Sequence, residues 1–293
     1  MSDPALVTAA YGRRGRLETA AAENIRYLVK GRRLKVVCGD HVAWHQDKHG
    51  HDAIVTDVLP RTNSLERQAP DRPQPELLAS NLTCVAVVLS PLPATDWHLI
   101  DRYLVAAELM QCRAILVDNK SDTIEVDAGS ERDAQIEAYK TLGYKCLSVS
   151  AATGDGISAL AGQLVDEVAI LVGQSGVGKS SLINRLVPNA DIVVGELSAA
   201  TDEGTHTTTA SAMHRLPGGG RLIDTPGVRD FVPAVDSERA QVGFPEIRAL
   251  ADECRFANCR HLREPDCAVK QAVATGTIAA RRYETYKRLA REN

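Results

Sequence analysis

The residues best suited to chemistry in this sequence of 293 residues form a glycine-rich run at positions 173–180. The run reads G-Q-S-G-V-G-K-S and fits the pattern G-x-x-x-x-G-K-[ST], in which backbone N–H groups close around phosphate oxygens. The lysine of this pattern reaches the β- and γ-phosphates of a nucleotide, and the hydroxyl group after it ligates Mg²⁺. Lys179 is therefore expected to act in catalysis and Ser180 to hold Mg²⁺. The predicted phosphate site consists of Gly173, Gln174, Ser175, Gly176, Val177, Gly178, Lys179, Ser180 and Ser181.

A second polar run, residues 119–122, reads N-K-S-D and follows an apolar stretch. Its carboxylate could accept hydrogen bonds from N1 and N2 of guanine, a donor pair that adenine lacks, so Asp122 would select GTP over ATP. The backbone N–H groups of the downstream pair Ser150-Ala151 could reach guanine O6. Three fixed residues are a weak signal by themselves, and a P-loop ATPase stays an alternative. The predicted base site consists of Asn119, Lys120, Ser121, Asp122, Ser150 and Ala151.

Metal ligands for the nucleotide are expected downstream of the glycine-rich run. Residues 224–227 read D-T-P-G and fit D-x-x-G, in which Asp224 would hold Mg²⁺ through water and the Gly227 amide would sense the γ-phosphate. Between the two motifs, residues 204–209 read G-T-H-T-T-T, and a threonine of this loop should complete the Mg²⁺ shell. The predicted magnesium set is Ser180, Thr207, Thr208 and Asp224.

A third cluster lies near the end of the chain, where Cys254, Cys259, His261 and Cys267 fall close together. Three thiolates and one imidazole form the closed tetrahedral set of structural Zn²⁺ and leave no open position for catalysis. The seven cysteines are an odd number, which argues against disulfides. The segment is too short for a large core, and a structural Zn²⁺ contributes about 10–16 kcal/mol of apparent binding free energy to folding.

Alternating strands and helices are predicted around these motifs, which indicates a doubly wound parallel sheet with ligands at the carboxyl ends of its strands. Asp96 is a plausible N-cap for the first helix. Pro188 should end the helix that follows the glycine-rich run. The predicted strands cover 84–89, 114–117, 145–149 and 168–172, and the predicted helices 97–112, 131–142 and 157–167.

The N-terminal segment, residues 5–67, is β-rich, with strands predicted at 25–29, 34–37, 41–44 and 53–59. Short strands without helical patterns suggest a small barrel, for which the five-stranded OB type is one option. Tyr27 and Trp44 could stack on RNA bases, although Trp44 could equally belong to the core. Basic side chains that could reach RNA, or could simply be exposed, are Arg13, Arg14, Arg16, Arg32, Arg33 and Lys35.

Composition and charge fit a protein without membrane spans. No apolar run approaches the ~18 residues of a span, and the first four residues do not resemble a signal peptide, so we expect a cytoplasmic location. The net charge of −4 is unevenly distributed, because residues 1–67 and 254–293 carry +3 and +5 and the middle carries −12. If nucleic acid is bound, the basic ends should hold it. Cys38, Cys84, Cys112 and Cys146 are expected to be buried thiols.

The order of the motifs is unusual, because N-K-x-D and S-A precede the glycine-rich run and D-x-x-G follows it. This order, with G-T-H-T-T-T at 204–209 and the cysteine cluster behind, resembles the ribosome small-subunit-dependent GTPases of the RsgA type. The resemblance implies three domains: an OB-fold RNA-binding barrel (1–70), a circularly permuted GTPase domain (71–235) and a zinc-binding domain with a C-terminal helix (236–293). The proline-rich stretch 68–75 reads as a linker and supplies the predicted boundary between the first two.

The resemblance also implies an activity and partners. Such proteins bind the small (30S) ribosomal subunit and its rRNA late in maturation, and they hydrolyse GTP to GDP much faster on the subunit. We expect this chain to do so as a monomer, with one structural Zn²⁺ and with Mg²⁺ bound alongside GTP. Val228 stands where Ras-like proteins carry the glutamine that orients water, so by analogy with the family His206 takes that role, with Thr208 beside it. Ser121 departs from the apolar residue usual at its position.

Two alternatives remain at the level of sequence. His206 could contact RNA or protein instead of water. The chain could also be a GTP-controlled module that binds rRNA or the subunit, with hydrolysis incidental.

Overall fold

The computed structural model of the protein describes residues 3–30, 34–47, 52–68, 74–123, 131–187, 211–225 and 231–292. Within these ranges the chain forms one sheet of eleven strands, a two-stranded hairpin and seven α-helices. No helix in this described portion is long and apolar enough to cross a bilayer.

Five strands at the N-terminus close into a small barrel. They pair in the order β1-β2-β3-β5-β4, and β4 returns to pair with β1. Inward-facing side chains such as Val7, Leu17 and Val55 are fully buried and form the barrel core. The barrel predicted from the sequence, of the five-stranded OB type, is therefore confirmed. Its strands are β1 (Ala5–Tyr11), β2 (Arg14–Glu18), β3 (Asn24–Val29), β4 (His41–Gln46) and β5 (Ala53–Val58).

Two details of the N-terminal prediction are wrong. Residues 34–37 form no strand, and the nearest pairing is an isolated bridge between Cys38 and Ala79. Tyr27 is only 1% exposed, so its ring packs in the barrel core and cannot stack on a base. Trp44 is partly exposed, and its indole N–H donates to the Asp3 carbonyl (3.0 Å).

A hairpin of β6 (Ser64–Arg67) and β7 (Glu76–Ser80) follows the barrel. The Arg67 guanidinium donates two hydrogen bonds to one oxygen of Glu76 across this pair (2.8 and 2.5 Å). The predicted boundary at residue 70 lies outside the described residues, and the three domain limits stay a prediction.

The central domain is a doubly wound sheet, as predicted. Its strands lie in the order β10-β9-β8-β11-β13-β12, and all pairs are parallel except β12–β13. Its strands are β8 (Cys84–Leu89), β9 (Arg113–Asp118), β10 (Lys145–Ser148), β11 (Val168–Val172), β12 (Ser211–Arg215) and β13 (Arg221–Asp224). Its helices are α1 (Trp97–Leu109), α2 (Glu131–Thr141), α3 (Ile157–Gln163) and α4 (Lys179–Leu186).

Side chains of β8 alternate between two hydrophobic layers, because successive strand residues face opposite sides of a sheet. Val85, Val87 and Leu89 pack with α1 and α2, whereas Ala86 and Val88 pack with α3 and α4. A strand buried on both faces has a continuous apolar sequence, which is why the run was recognisable. Helix α1 begins as predicted, since the Asp96 carboxylate accepts from the N–H groups of residues 98 and 99 (3.0 and 3.1 Å).

The barrel and the central domain share one sheet, because β12 pairs with β1 through Ala212–Ala9 and Ser211–Ala10. The Glu18 carboxylate adds ion pairs to Arg215 (2.8 Å) and Arg221 (2.6 Å) beside this junction. Burial opposes ionisation of Glu18, but the two guanidinium groups outweigh it and lower its pKa.

The C-terminal segment packs against α1. Its helices are α5 (Pro245–Leu250), α6 (Ala268–Ala274) and α7 (Ala280–Leu289), with short 3₁₀ turns at Ala240–Gly243 and Ala251–Glu253. Phe244, Ile247 and Leu289 form a common core with Val105 of α1. Gly243 allows this approach, since a Cβ there would lie 2.4 Å from a methyl carbon of Val105.

Candidate functional site

The glycine-rich loop leads from β11 into α4, as its sequence predicts. Gly173 has φ +143°, and a Cβ there would lie 2.1 Å from the Val88 carbonyl oxygen. Gly178 has φ +94°, and a Cβ there would lie 2.2 Å from the amide nitrogen of Asn119. Both positions therefore require glycine. No side chain caps α4, which leaves the N–H groups of its first turn available to an anion.

Lys179 lies over this loop. Its ammonium group donates to the carbonyl oxygens of Gly173 and Gln174, both at 2.6 Å. Val177 is 1% exposed and anchors the loop in the core, whereas Ser175 and Ser180 are exposed beside it. An anchored backbone with an exposed hydroxyl and an ammonium group can surround a phosphate chain.

The two predicted base-site loops, at 119–122 and 150–151, meet the glycine-rich loop at the carboxyl edge of the sheet. The Asn119 side chain is 1% exposed and links the glycine-rich loop to the loop at 150–151, because its NH₂ donates to the Val177 carbonyl (2.8 Å) and its oxygen accepts from Ala151 N–H (3.1 Å). Lys120 donates to the Gly176 carbonyl (2.6 Å) and to the Leu92 carbonyl (2.7 Å).

Asp122 is exposed at this edge, and among the described residues one neighbour donates a hydrogen bond to its carboxylate. The Ser150 hydroxyl donates to one of its oxygens at 2.5 Å. The second oxygen and the remaining lone pairs can accept further donors, which is the requirement for binding N1–H and N2–H of guanine. Ser121 begins a one-turn 3₁₀ helix, Ser121–Thr123, that carries Asp122 outward.

Asp118 precedes this loop and is paired with Arg132 at the start of α2. Burial raises the pKa of Asp118, and the guanidinium of Arg132 opposes that rise. The pair ties the first turn of α2 to the strand that carries Asn119.

Asp224 ends β13, one residue beyond the pair formed by Ile170 of β11 and Ile223 of β13. Parallel neighbouring strands end at the same edge of a sheet. Asp224 and the glycine-rich loop therefore both lie at the carboxyl edge of this sheet. The remaining predicted ligands and catalytic groups, His206, Thr207, Thr208 and Gly227, lie outside the described residues. Their roles stay predictions.

The four predicted zinc ligands converge at the C-terminus. Their ligand atoms all lie within 4.8 Å of one another. The Sγ atoms of Cys254 and Cys267 are 3.8 Å apart, and they lie 3.4 and 3.5 Å from Nδ1 of His261. A tetrahedral ion with Zn–S of about 2.3 Å and Zn–N of about 2.0–2.1 Å requires edges of about 3.8 Å between sulfurs and about 3.5 Å between sulfur and nitrogen. The geometry fits a metal ion bound by Cys254, Cys259, His261 and Cys267.

The surroundings of this cluster favour the neutral form of the His261 imidazole, which is the form that binds a metal ion. Burial lowers the pKa of His261, only partly opposed by the charge of Glu264, so the ring is neutral at pH 7. The Tyr283 hydroxyl donates to the His261 carbonyl (2.6 Å) and thereby connects the segment 254–267, which carries the cluster, to α7.

Three features of the site escaped the sequence analysis. The segment 90–96 lies against the glycine-rich loop, since Pro93 approaches Gly176 and Gln174 accepts from the Asp96 N–H (2.8 Å). Arg185 of α4 bonds to the loop at 151–152. Arg132 supports Asp118, as described above. These contacts join residues that are distant in sequence, and no local spacing reveals them.

A doubly wound sheet that meets phosphate and guanine loops at one edge, with the guanine loops first in the chain, defines a circularly permuted GTPase. A family model described as RsgA GTPase matches residues 58–232. The chain therefore belongs to the RsgA GTPase family and is a GTP hydrolase.

Relatives and solved structures agree with this assignment. The chain is 44% identical over 256 residues to the small ribosomal subunit biogenesis GTPase RsgA of Ectopseudomonas mendocina, covering 87% of this chain and 74% of that protein. Its identity to the protein of the same description from Pseudomonas aeruginosa (strain LESB58) is 40%, with coverage of 97% and 83%. The crystal structure of YjeQ from Thermotoga maritima is similar (TM-score 0.77, 29% identity, coverage 99% and 98%). YloQ, described as a circularly permuted GTPase, has a TM-score of 0.72 at 26% identity, with coverage of 99% and 94%.

Proposed function

We propose that this GTPase acts in the biogenesis of the small ribosomal subunit, binding the subunit and hydrolysing GTP with stimulation by it. The observation that supports this most is the similarity of nearly the whole chain to proteins described as small ribosomal subunit biogenesis GTPases. The similarity spans the barrel and the metal-binding segment as well as the nucleotide site. The three parts are therefore expected to work together on one partner. Such a role is consistent with a cytoplasmic monomer, as the sequence predicts.

The nucleotide roles proposed for individual residues follow from the geometry of the edge. Lys179 and the first turn of α4 would hold the phosphates, and Ser180 and Asp224 would hold Mg²⁺, which neutralises charge between the β- and γ-phosphates. Asp122 would accept the two donors of guanine. The C-terminal cluster would hold one structural Zn²⁺, because three sulfurs and a neutral imidazole are the donors that this ion prefers.

His206 is proposed to position the attacking water, with Thr208 completing the shell of the metal ion. Val228 follows D-T-P-G, and its side chain cannot hold water by hydrogen bonding. His206→Ala should leave GTP affinity unchanged and lower the subunit-stimulated kcat. Unchanged stimulated turnover in this variant would refute the role.

Co-sedimentation with purified small subunits tests the proposed partner. Wild-type protein should pellet with the subunit in a non-hydrolysable GTP analogue and be released in GDP. Large subunits serve as the control. Equal recovery with both subunits, or with neither, would refute the proposal. Nucleotide-dependent retention without any stimulation of GTP hydrolysis by the subunit would favour the alternative, a GTP-controlled binding module in which hydrolysis is incidental.

A further inference from the structure

Helix α4 connects the two ends of the nucleotide site. It begins at Lys179, next to the phosphate loop, and its last turn carries Arg185. Leu182, Ile183 and Leu186 bury the opposite face in the same core as Ala151. The position of Arg185 relative to the loop at 150–153 is therefore fixed by packing.

The Arg185 side chain extends from this helix to the base loop. Its Nε donates to the Ala151 carbonyl oxygen (2.8 Å), and one of its terminal nitrogens donates to the Ala152 carbonyl oxygen (2.6 Å). The guanidinium group is a rigid planar fork, so two bonds to consecutive carbonyls fix the orientation of both peptide planes.

The remaining polar groups of the loop have separate partners. The Ala151 N–H donates to Asn119 (3.1 Å), and the Thr153 N–H donates to the Ser150 hydroxyl (3.1 Å). The exposed Ala152 N–H has no acceptor within the described part of the chain. In a planar trans peptide the C=O and the following N–H point in opposite directions. The bond from Arg185 to the Ala151 oxygen therefore aims the Ala152 N–H away from α4.

We propose that Arg185 is a positioning residue for guanine recognition, holding the Ala152 N–H where it donates to the O6 keto oxygen of the base. Asp122 reads the donors at N1 and N2, and the N–H reads the acceptor at position 6. Adenine carries an amino group at position 6, which cannot accept this hydrogen bond. The inference rests on the proposed nucleotide site and deepens it.

The arginine also lies in the last turn of α4, where any positive charge interacts favourably with the helix dipole. A lysine would retain that effect, but its ammonium group cannot reproduce a fork to two carbonyls. Arg185→Lys therefore separates the two roles. Because Arg185 is exposed, neither this change nor Arg185→Met should prevent folding.

The test compares the dissociation constants of GDP and 6-thio-GDP at pH 7. In 6-thio-GDP the O6 atom alone is replaced, by sulfur, which is a weak hydrogen-bond acceptor. Wild-type protein should bind 6-thio-GDP about fivefold to tenfold more weakly than GDP, the magnitude of one net hydrogen bond. In Arg185→Met the affinity for GDP should fall by about the same factor, and the difference between the two nucleotides should nearly vanish. Arg263→Met, an exposed arginine in the C-terminal segment, is the control for loss of charge.

The outcomes separate the inference from the function on which it rests. The positioning role would be refuted if Arg185→Met weakened the binding of GDP and 6-thio-GDP equally, or if Arg185→Lys kept the full difference in affinity between them. In either case a retained preference for GDP over ADP would leave the guanine site intact. If wild-type protein bound GDP and ADP equally, the guanine site and this inference would both be refuted.

Discussion

Replacing Asp101 by alanine should loosen the contact between the C-terminal segment and α1. The Asp101 carboxylate is fully buried and accepts four hydrogen bonds. Arg281 and Arg282 donate at 2.6 and 2.9 Å, and the hydroxyl groups of Tyr139 and Thr285 donate at 2.5 and 2.9 Å. Two elements of the central domain, α1 and α2, are thereby bound to α7.

The magnitude follows from burial on both sides of the contact. Arg282 is 2% exposed, and once Asp101 is removed Glu246 is its one remaining ionic partner among the described residues. Burial lowers the pKa of Arg282, but the two carboxylates together raise it well above the usual range, so the guanidinium stays charged. Breaking a buried pair by removing one partner costs about 3–5 kcal/mol. We expect a loss of that size in the free energy of unfolding of the α1–α7 contact.

Tryptophan fluorescence during denaturation can measure this loss. The Trp97 ring lies beside Tyr139 (6.1 Å between centroids) and under Arg281 (5.8 Å), so its emission reports the contact directly. A Trp44→Phe background removes the other tryptophan of the chain. The control is Glu137→Gln, which breaks an ion pair with Lys140 on the surface of α2. The exposed fractions of these two side chains are 68% for Glu137 and 50% for Lys140. That change should cost at most about 0.5 kcal/mol.

The reasoning would be refuted if Asp101→Ala shifted the Trp97 transition no more than the Glu137 control does.

Three further changes test other parts of the account. Asp122→Asn should weaken GDP binding by at least about tenfold and relax the preference over ADP, since a neutral amide replaces the charged acceptor; an unchanged ratio in competition binding would argue against the base site. Elemental analysis should find one zinc per chain in wild-type protein and none in Cys259→Ser, which should also have a lower thermal midpoint, whereas Cys146→Ser, a change outside the cluster, should retain the metal; full zinc content in Cys259→Ser would argue against this ligand. Burial raises the pKa of the Glu264 carboxyl, but hydrogen bonds from the backbone N–H groups at 260 and 262–264 outweigh burial and lower it to about 2. Because the ionised carboxylate holds the loop between His261 and Cys267, Glu264→Gln should release zinc faster to a chelator at pH 7. An unchanged release rate in Glu264→Gln at pH 7 would contradict this role.

Three central strands, β8, β9 and β11, could be predicted from sequence because each has a continuous apolar run. The structure has strands at Cys84–Leu89 and Val168–Val172, the bounds that the sequence indicated. Helix ends were harder to locate. The first helix was expected to reach residue 112 but ends at Leu109, and Gln111 adopts φ +57°, a conformation that local periodicity does not encode.

Inward and outward faces of the barrel could not be assigned in the same way. The strand of Tyr27 has apolar residues on both faces, Ile25, Tyr27 and Val29 on one and Leu28 on the other. Alternation therefore does not decide which ring is exposed, and only the closed barrel shows that Tyr27 is buried.

The residues predicted for the nucleotide site and the Cys/His cluster could be picked out because their types occur at short, fixed spacings. The groups that support them could not. Arg185 and Ala151 are 34 residues apart, and Asp101 and Arg281 are 180 apart. Such pairs result from packing of whole elements, and a single sequence contains no local pattern for them.

The most direct test of the central claim is multiple-turnover GTP hydrolysis with and without purified small ribosomal subunits. Stimulation of other GTPases by their partners spans about 10³–10⁵-fold, so even a much weaker effect would be resolved. We predict that small subunits raise the turnover of wild-type protein, that large subunits do not, and that Lys179→Met hydrolyses no GTP under either condition. The same turnover with and without small subunits would contradict the account.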